Sequence, residues 1–165
     1  MRNTSLLRRA AALGCAALLT FGLAACGEKE ESQTETRLYR DGTYTAQFDT
    51  AGADGYTTYA VVEIASDKVS VTEFDGKNAS GELRSADTEL ADSMKEGASE
   101  YLTFEPTPAN LSKKAMEDFA AAGGDPDSMA LTAGGPEYGL ELAALVDAVL
   151  DGPAKADSES ESTQV

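Results

Sequence analysis

Chemistry in this chain has no imidazole to draw on, because the sequence has no histidine, and it has only two cysteines. His-based triads, His-ligated haem and His-ligated zinc are thereby excluded. The stretch with the most pointed spacing is Thr132-Ala133-Gly134-Gly135-Pro136, which runs into the apolar-periodic segment ending at Leu150. A small-residue loop opening a helix presents free backbone amides, the arrangement that cradles phosphate. Its plain alternative is a turn. Glu73, Asp75, Asn78 and Glu82 form a second cluster. Their spacing departs from a calcium-binding EF-hand loop, and no helix is expected before them, so the segment reads as a turn-rich connection. Tyr44, Tyr56, Tyr59, Tyr101 and Tyr138 offer rings for stacking, but tyrosines in a tryptophan-free chain are first of all core material. Neither a GxSxG elbow nor a Walker-type loop is present.

These residues need elements to position them. Tyr44, Ala46 and Phe48 fall on one face of a strand that follows an Asp41-Gly42 turn. Two further strands flank Ser66-Asp67-Lys68 as a hairpin, with Tyr59, Val61, Glu63 and Val69, Val71, Glu73 at alternate positions. Helical spacing follows. One helix is expected from Ser85 to about Glu100, capped by Ser85 or Thr88. A second should be capped by Asn110 and ended by Gly123-Gly124. A third carries Leu142, Leu145, Val146, Val149 and Leu150 and stops at Gly152-Pro153. Strands first and helices after predict an α+β fold, a small antiparallel sheet from the N-terminal half packed with about three helices. The expected core includes Tyr44, Phe48, Val61, Ile64, Val69, Val71, Phe119, Leu142, Leu145 and Val149.

The ends read differently. Residues 1–25 carry Arg2, Arg8 and Arg9, then an uncharged apolar run, then Leu23-Ala24-Ala25 before Cys26. This is the pattern of a cleaved secretory leader, and the last four residues are similar to the lipobox of bacterial lipoproteins. That resemblance implies a diacylglyceryl group on Cys26 and an anchor on the extracytoplasmic face of the cell membrane. The other cysteine, Cys15, leaves with the leader, so the mature chain has no disulfide. Residues 26–37 read as a flexible tether, 38–151 as the folded domain, and 152–165 as a disordered acidic tail. Losing three arginines takes the formal charge from −16 to −19. A chain so acidic repels phosphate backbones, and no nucleic-acid partner is expected.

The order of features in the domain also resembles a known family. Tyr39-Asp41-Gly42-Tyr44, Gly55-Tyr56, Lys68-Val69 and Asn78-Gly81-Arg84 look like the small FMN-binding domain of bacterial lipoproteins and membrane redox complexes. The resemblance implies FMN as the cofactor, carried by a phosphoester on the last hydroxyl of a Ser/Thr-Gly-Ala-Ser/Thr loop before the closing helix. Aligned through Ala144-Leu145-Val146-Asp147-Ala148-Val149-Leu150, that loop falls on Ala133-Gly134-Gly135-Pro136. Pro136 takes the acceptor position and has no hydroxyl and no N–H. Thr132 precedes the glycine, at the wrong end of the loop. Covalent flavin is therefore not expected. The expectation is a lipid-anchored, non-flavinylated accessory or binding module of an envelope redox system, with a redox protein as partner. The alternatives are a flavin-carrying electron-transfer lipoprotein and an unrelated surface lipoprotein.

Overall fold

The computed structural model describes residues 37–156. Cys26 and the leader, the tether before Arg37 and the tail after Ala156 lie outside the described residues. The order of elements is that of an α+β domain. Strands β1 (Gly42–Gln47), β2 (Thr57–Ala65) and β3 (Lys68–Lys77) form an antiparallel meander. Helices α1 (Thr88–Glu96), α2 (Pro108–Ala121) and α3 (Pro136–Asp151) follow. No helix among the described residues is long and apolar enough to cross a membrane.

The β2–β3 turn has two central residues, Ser66 and Asp67, both at positive φ (52° and 60°). That geometry matches the right-handed twist of the flanking strands, at some strain in residues with a Cβ. The strain is met by bonds to the segment before β1. Asp67 Oδ1 accepts from Leu38 N (3.0 Å) and Tyr39 N (2.9 Å), and Asp41 Oδ1 accepts from Ser66 N (2.8 Å).

One face of the sheet carries the core: Ala60, Val62 and Ile64 from β2, Val69 and Phe74 from β3, with Tyr44, Ala46 and Phe48 packed against them. Val62 pairs with Val71 but Val61 pairs with Glu73, so Thr72 is the extra residue of a β-bulge. The bulge turns Phe74 to the same face as Val69 and Val71, and Glu73 to the other. Two sequence expectations are corrected in the sheet, the first by this bulge and the second by the alternation of Val61 with buried Val62 along β2. Glu73 does not continue the Val69-Val71 row, and Val61 is half-buried on the opposite face beside Tyr59 rather than in the core.

The helices cover the core face. α1 begins after Asp87, whose carboxylate accepts from Leu90 N (2.9 Å). Neither Ser85 nor Thr88 is its cap. Arg84–Ala86 instead makes a single 3₁₀ turn, and the extended Asp87 (φ −76°, ψ 105°) separates the two. α2 is capped by Thr107, whose hydroxyl accepts from Asn110 N, so Asn110 lies inside the first turn. Pro108 at the first helical position accounts for this early start, since its fixed φ suits that site and its missing N–H is not needed there. The helix ends as expected, with Gly123 and Gly124 at φ +73° and +83°. Gly124 is irreplaceable on a second count: a Cβ there would lie 2.5 Å from the Val69 carbonyl oxygen.

α3 buries Leu142, Leu145, Val146, Val149 and Leu150, the stripe read from the sequence. Order continues past Asp151. Ala154 is fully buried, Arg40 N donates to Ala154 O (2.8 Å), and Ala156 N donates to Leu38 O (3.1 Å). On the same helix, Asp147 has its carboxyl raised above the usual range by desolvation and by Asp127, Asp151 and Asp125 around it. A raised carboxyl means that the charged form is the costly one in the folded state, so the penalty is full at neutral pH and fades as pH falls through the folded value. Asp147→Asn should therefore raise the thermal midpoint at pH 7, by a small amount, and the gain should vanish near pH 3. Thermal melts of both proteins at the two pH values check it. A gain of equal size at both would show that charge is not the cause.

Candidate functional site

The loop before α3 is held by small residues for identifiable reasons. Gly134 has φ +80°, and a Cβ on it would meet Leu102 Cδ1 at 2.8 Å. Gly135 is extended, and a Cβ there would meet Leu111 Cδ1 at 2.9 Å. Gly135 N donates to Thr132 O (3.3 Å), and Tyr138 N donates to Gly135 O (3.1 Å). Thr132 is 1% exposed. Its Oγ1 has no hydrogen-bond partner among the described residues and lies 3.0 Å from where a Cβ on Gly139 would stand. The one hydroxyl of this loop is thus packed against α3 and turned away from solvent. Ala133, Gly134 and Pro136 are exposed.

Gly134 and Pro136 form one wall of a groove of about 480 Å³. Met94, Leu102 and Pro106 supply much of the rest. It is large enough for a small ligand or one or two side chains of a partner. Its chemistry does not suit a phosphate. Pro136 brings no N–H to the helix start, and Glu137 places a carboxylate in the first turn, where an anion would otherwise sit. No lysine or arginine lines the groove. The residues present therefore fit neither a phosphoester-linked FMN nor a firmly held flavin phosphate.

Of the other residues of the family resemblance, Gly42 and Tyr44 lie in β1 and Lys68 and Val69 in β3, whereas Gly55-Tyr56 and Asn78-Gly81-Arg84 lie in turns and in one buried polar cluster. Asn78 Oδ1 accepts from Ser80 N (3.0 Å) and Glu82 N (2.9 Å), its Nδ2 donates to Glu82 Oε2 (2.7 Å), and Gly81 sits at φ +82°. This tight turn sends Arg84 inward. Arg84 is 3% exposed, its guanidinium 3.4 Å from Asp54 Oδ2 and from Glu141 Oε2 and 4.4 Å from the centre of the Tyr138 ring. Thr58 Oγ1 donates to Glu141 Oε2 (3.0 Å), and Asp75 Oδ1 accepts from Gly76 N and Ser85 N. Burial pushes the Tyr138 phenol up to about 12, against the pull of Arg84. Tyr56 is pushed up to about 12 by its hydrogen bond to Asp87 (2.7 Å), followed by desolvation. Asp87 is in turn held below the usual carboxylate range by the Leu90 amide and then by Tyr56.

The tyrosines do not converge on one ring-binding site. Tyr138 packs edge-on against Phe74, Tyr59 donates to Glu73 under the Lys77 ammonium on the outer face of the sheet, and Tyr101 stands 87% exposed. Glu73, Asp75, Asn78 and Glu82 do not form a metal site, and among the described residues no group of three or more carboxylate, thiol or imidazole side chains is placed to hold a metal. Sequence reasoning missed Asp54, Glu141 and Leu102. Asp54 stands next to the Gly55-Tyr56 pair, the single local hint, whereas Glu141 and Leu102 carried no signal.

No protein-family model and no curated protein sequence matches the chain. Two solved structures are similar in shape. A crystal structure of a Clostridium perfringens protein superposes with a TM-score of 0.56 at 17% identity, covering 68% of this chain and 87% of that one. A solution structure of a Clostridium thermocellum protein gives a TM-score of 0.39 at 21% identity, covering 66% and 92%. The first of these likenesses shows a shared fold.

Proposed function

We propose that this chain is a lipid-anchored, extracytoplasmic binding module with an FMN-binding-like domain that carries no covalent flavin and serves as an accessory of an envelope redox system. The observation that carries the reading is the loop before α3. Its solvent-facing positions are Ala133, Gly134 and Pro136, and Thr132 Oγ1 is buried. A phosphoester needs an exposed oxygen nucleophile, and the loop presents none. The acidic balance of the chain works in the same direction, since it disfavours a phosphate dianion.

The test is intact mass after co-expression of the full chain with an active flavin transferase, with in-gel flavin fluorescence after denaturation. Wild type should gain a lipid adduct and no FMN. Cys26→Ser should lose the lipid adduct, which keeps the two masses apart. Pro136→Thr should restore an exposed hydroxyl at the groove mouth while leaving Gly135, whose added Cβ would press on Leu111. A wild-type chain heavier by one FMN would refute the reading. Flavin that comes off on denaturation would favour the electron-carrier alternative.

A further inference from the structure

Of the four large apolar side chains that stand exposed among the described residues, Tyr101, Leu131 and Leu140 each adjoin in sequence, or share a helix face with, a residue packed at the start of α3. Leu140 follows Pro136 by four residues and so shares its face of the helix. Leu131 precedes Thr132, which packs against Gly139, the residue before Leu140. Tyr101 precedes Leu102, which lies against Gly134. The groove of about 480 Å³ opens at the same place, walled by Leu102, Pro106 and Pro136. Apolar side chains exposed singly need no explanation, but clustered at a groove they mark an interaction surface.

The rim says what would cover it. Glu96, Glu100, Glu105 and Glu137 are exposed and each adjoins a groove residue in sequence. The cation set among them, Lys95, is held by Asp92 at 2.8 Å. An acidic rim around an apolar centre repels phosphate groups and anionic headgroups and attracts positive charge. We propose that this end of the domain docks a peptide segment of a partner protein in which an aliphatic or aromatic anchor is flanked by lysine or arginine. The anchor enters the groove against Leu102 and Pro106, Leu131 and Leu140 cover its flanks, and the basic residues meet the glutamates. The proposal deepens the binding-module reading and rests on it.

The probe is a fluorescein-labelled amphipathic helical peptide of leucine and lysine, titrated against the full chain by fluorescence anisotropy. Its leucine–glutamate counterpart and free FMN as competitor are the comparison arms. The leucine–lysine peptide should bind, more weakly as salt rises. Leu131→Glu with Leu140→Glu should weaken it at least tenfold, while Leu38→Glu, an exposed leucine on the segment before β1, should leave it unchanged. Equal binding by the double variant would reduce the effect to general acid–base attraction and overturn the proposal. So would absence of binding, equal binding of the leucine–glutamate peptide, or displacement by FMN. The two readings fail separately, because covalent FMN is read by mass and docking by anisotropy.

Discussion

Arg84→Ala is expected to cost the domain about 3 kcal/mol, the low end of what breaking a buried ion pair removes. The side chain is 3% exposed and reaches three parts of the fold: the β1–β2 loop through Asp54, β3 where it lies against Gly76, and α3 through Glu141 and Tyr138. Removing it leaves Asp54 and Glu141 facing each other without a cation. Both are partly exposed, at 28% and 29% of their side chains, so water relieves some of that repulsion and the cost stays below the upper figure. Arg84→Met keeps the aliphatic stem and isolates the charge. It should fall between wild type and Arg84→Ala. Urea unfolding followed by far-UV circular dichroism measures all three, and an Arg84→Ala midpoint equal to wild type would mean that neither the charge nor the packing of this side chain holds the cluster.

Leu145→Ala should cost about 2–5 kcal/mol, as deletion of a buried leucine does when the cavity cannot collapse. Leu145 is 2% exposed and belongs to the α3 stripe that meets the sheet. The same substitution on the same helix at Leu140, which is 60% exposed, should stay within about 0.5 kcal/mol. Helix propensity changes alike in the two variants, so the difference between them reports burial. Equal effects in a denaturant titration would show that α3 is not docked as described.

Some of this was legible in the sequence and some could not be. The α3 stripe shows itself because its five apolar residues recur at the helical period, whatever they pack against. The β2–β3 turn shows itself because two β-rich runs flank Ser66-Asp67-Lys68, although Lys68 already belongs to β3. The bulge at Thr72 leaves no such trace. Val69, Val71 and Glu73 alternate smoothly, and only pairing with β2 shifts the register. Cap positions were underdetermined for a related reason. Ser85, Asp87 and Thr88 all have capping oxygens, and the chain path set by the buried Arg84 selects Asp87. Arginine is ordinarily a surface residue, and its partners here lie 30 and 57 positions away, beyond the reach of any local pattern. The loop before α3 was legible in composition but not in the orientation of Thr132, which depends on the missing side chain of Gly139.

The pairing of residues 38–40 with 154–156 has a mechanical consequence. The two ends of the folded part leave it side by side, joined by a short antiparallel bridge between Tyr39 and Lys155. Tension applied between the ends would load these bonds one after another, as a zipper opens, rather than all at once as in shear. The bridge would part first, with the sheet and helices behind it still bearing no load. The same adjacency makes the domain a cassette: it can interrupt a host chain at one point and return it almost where it left.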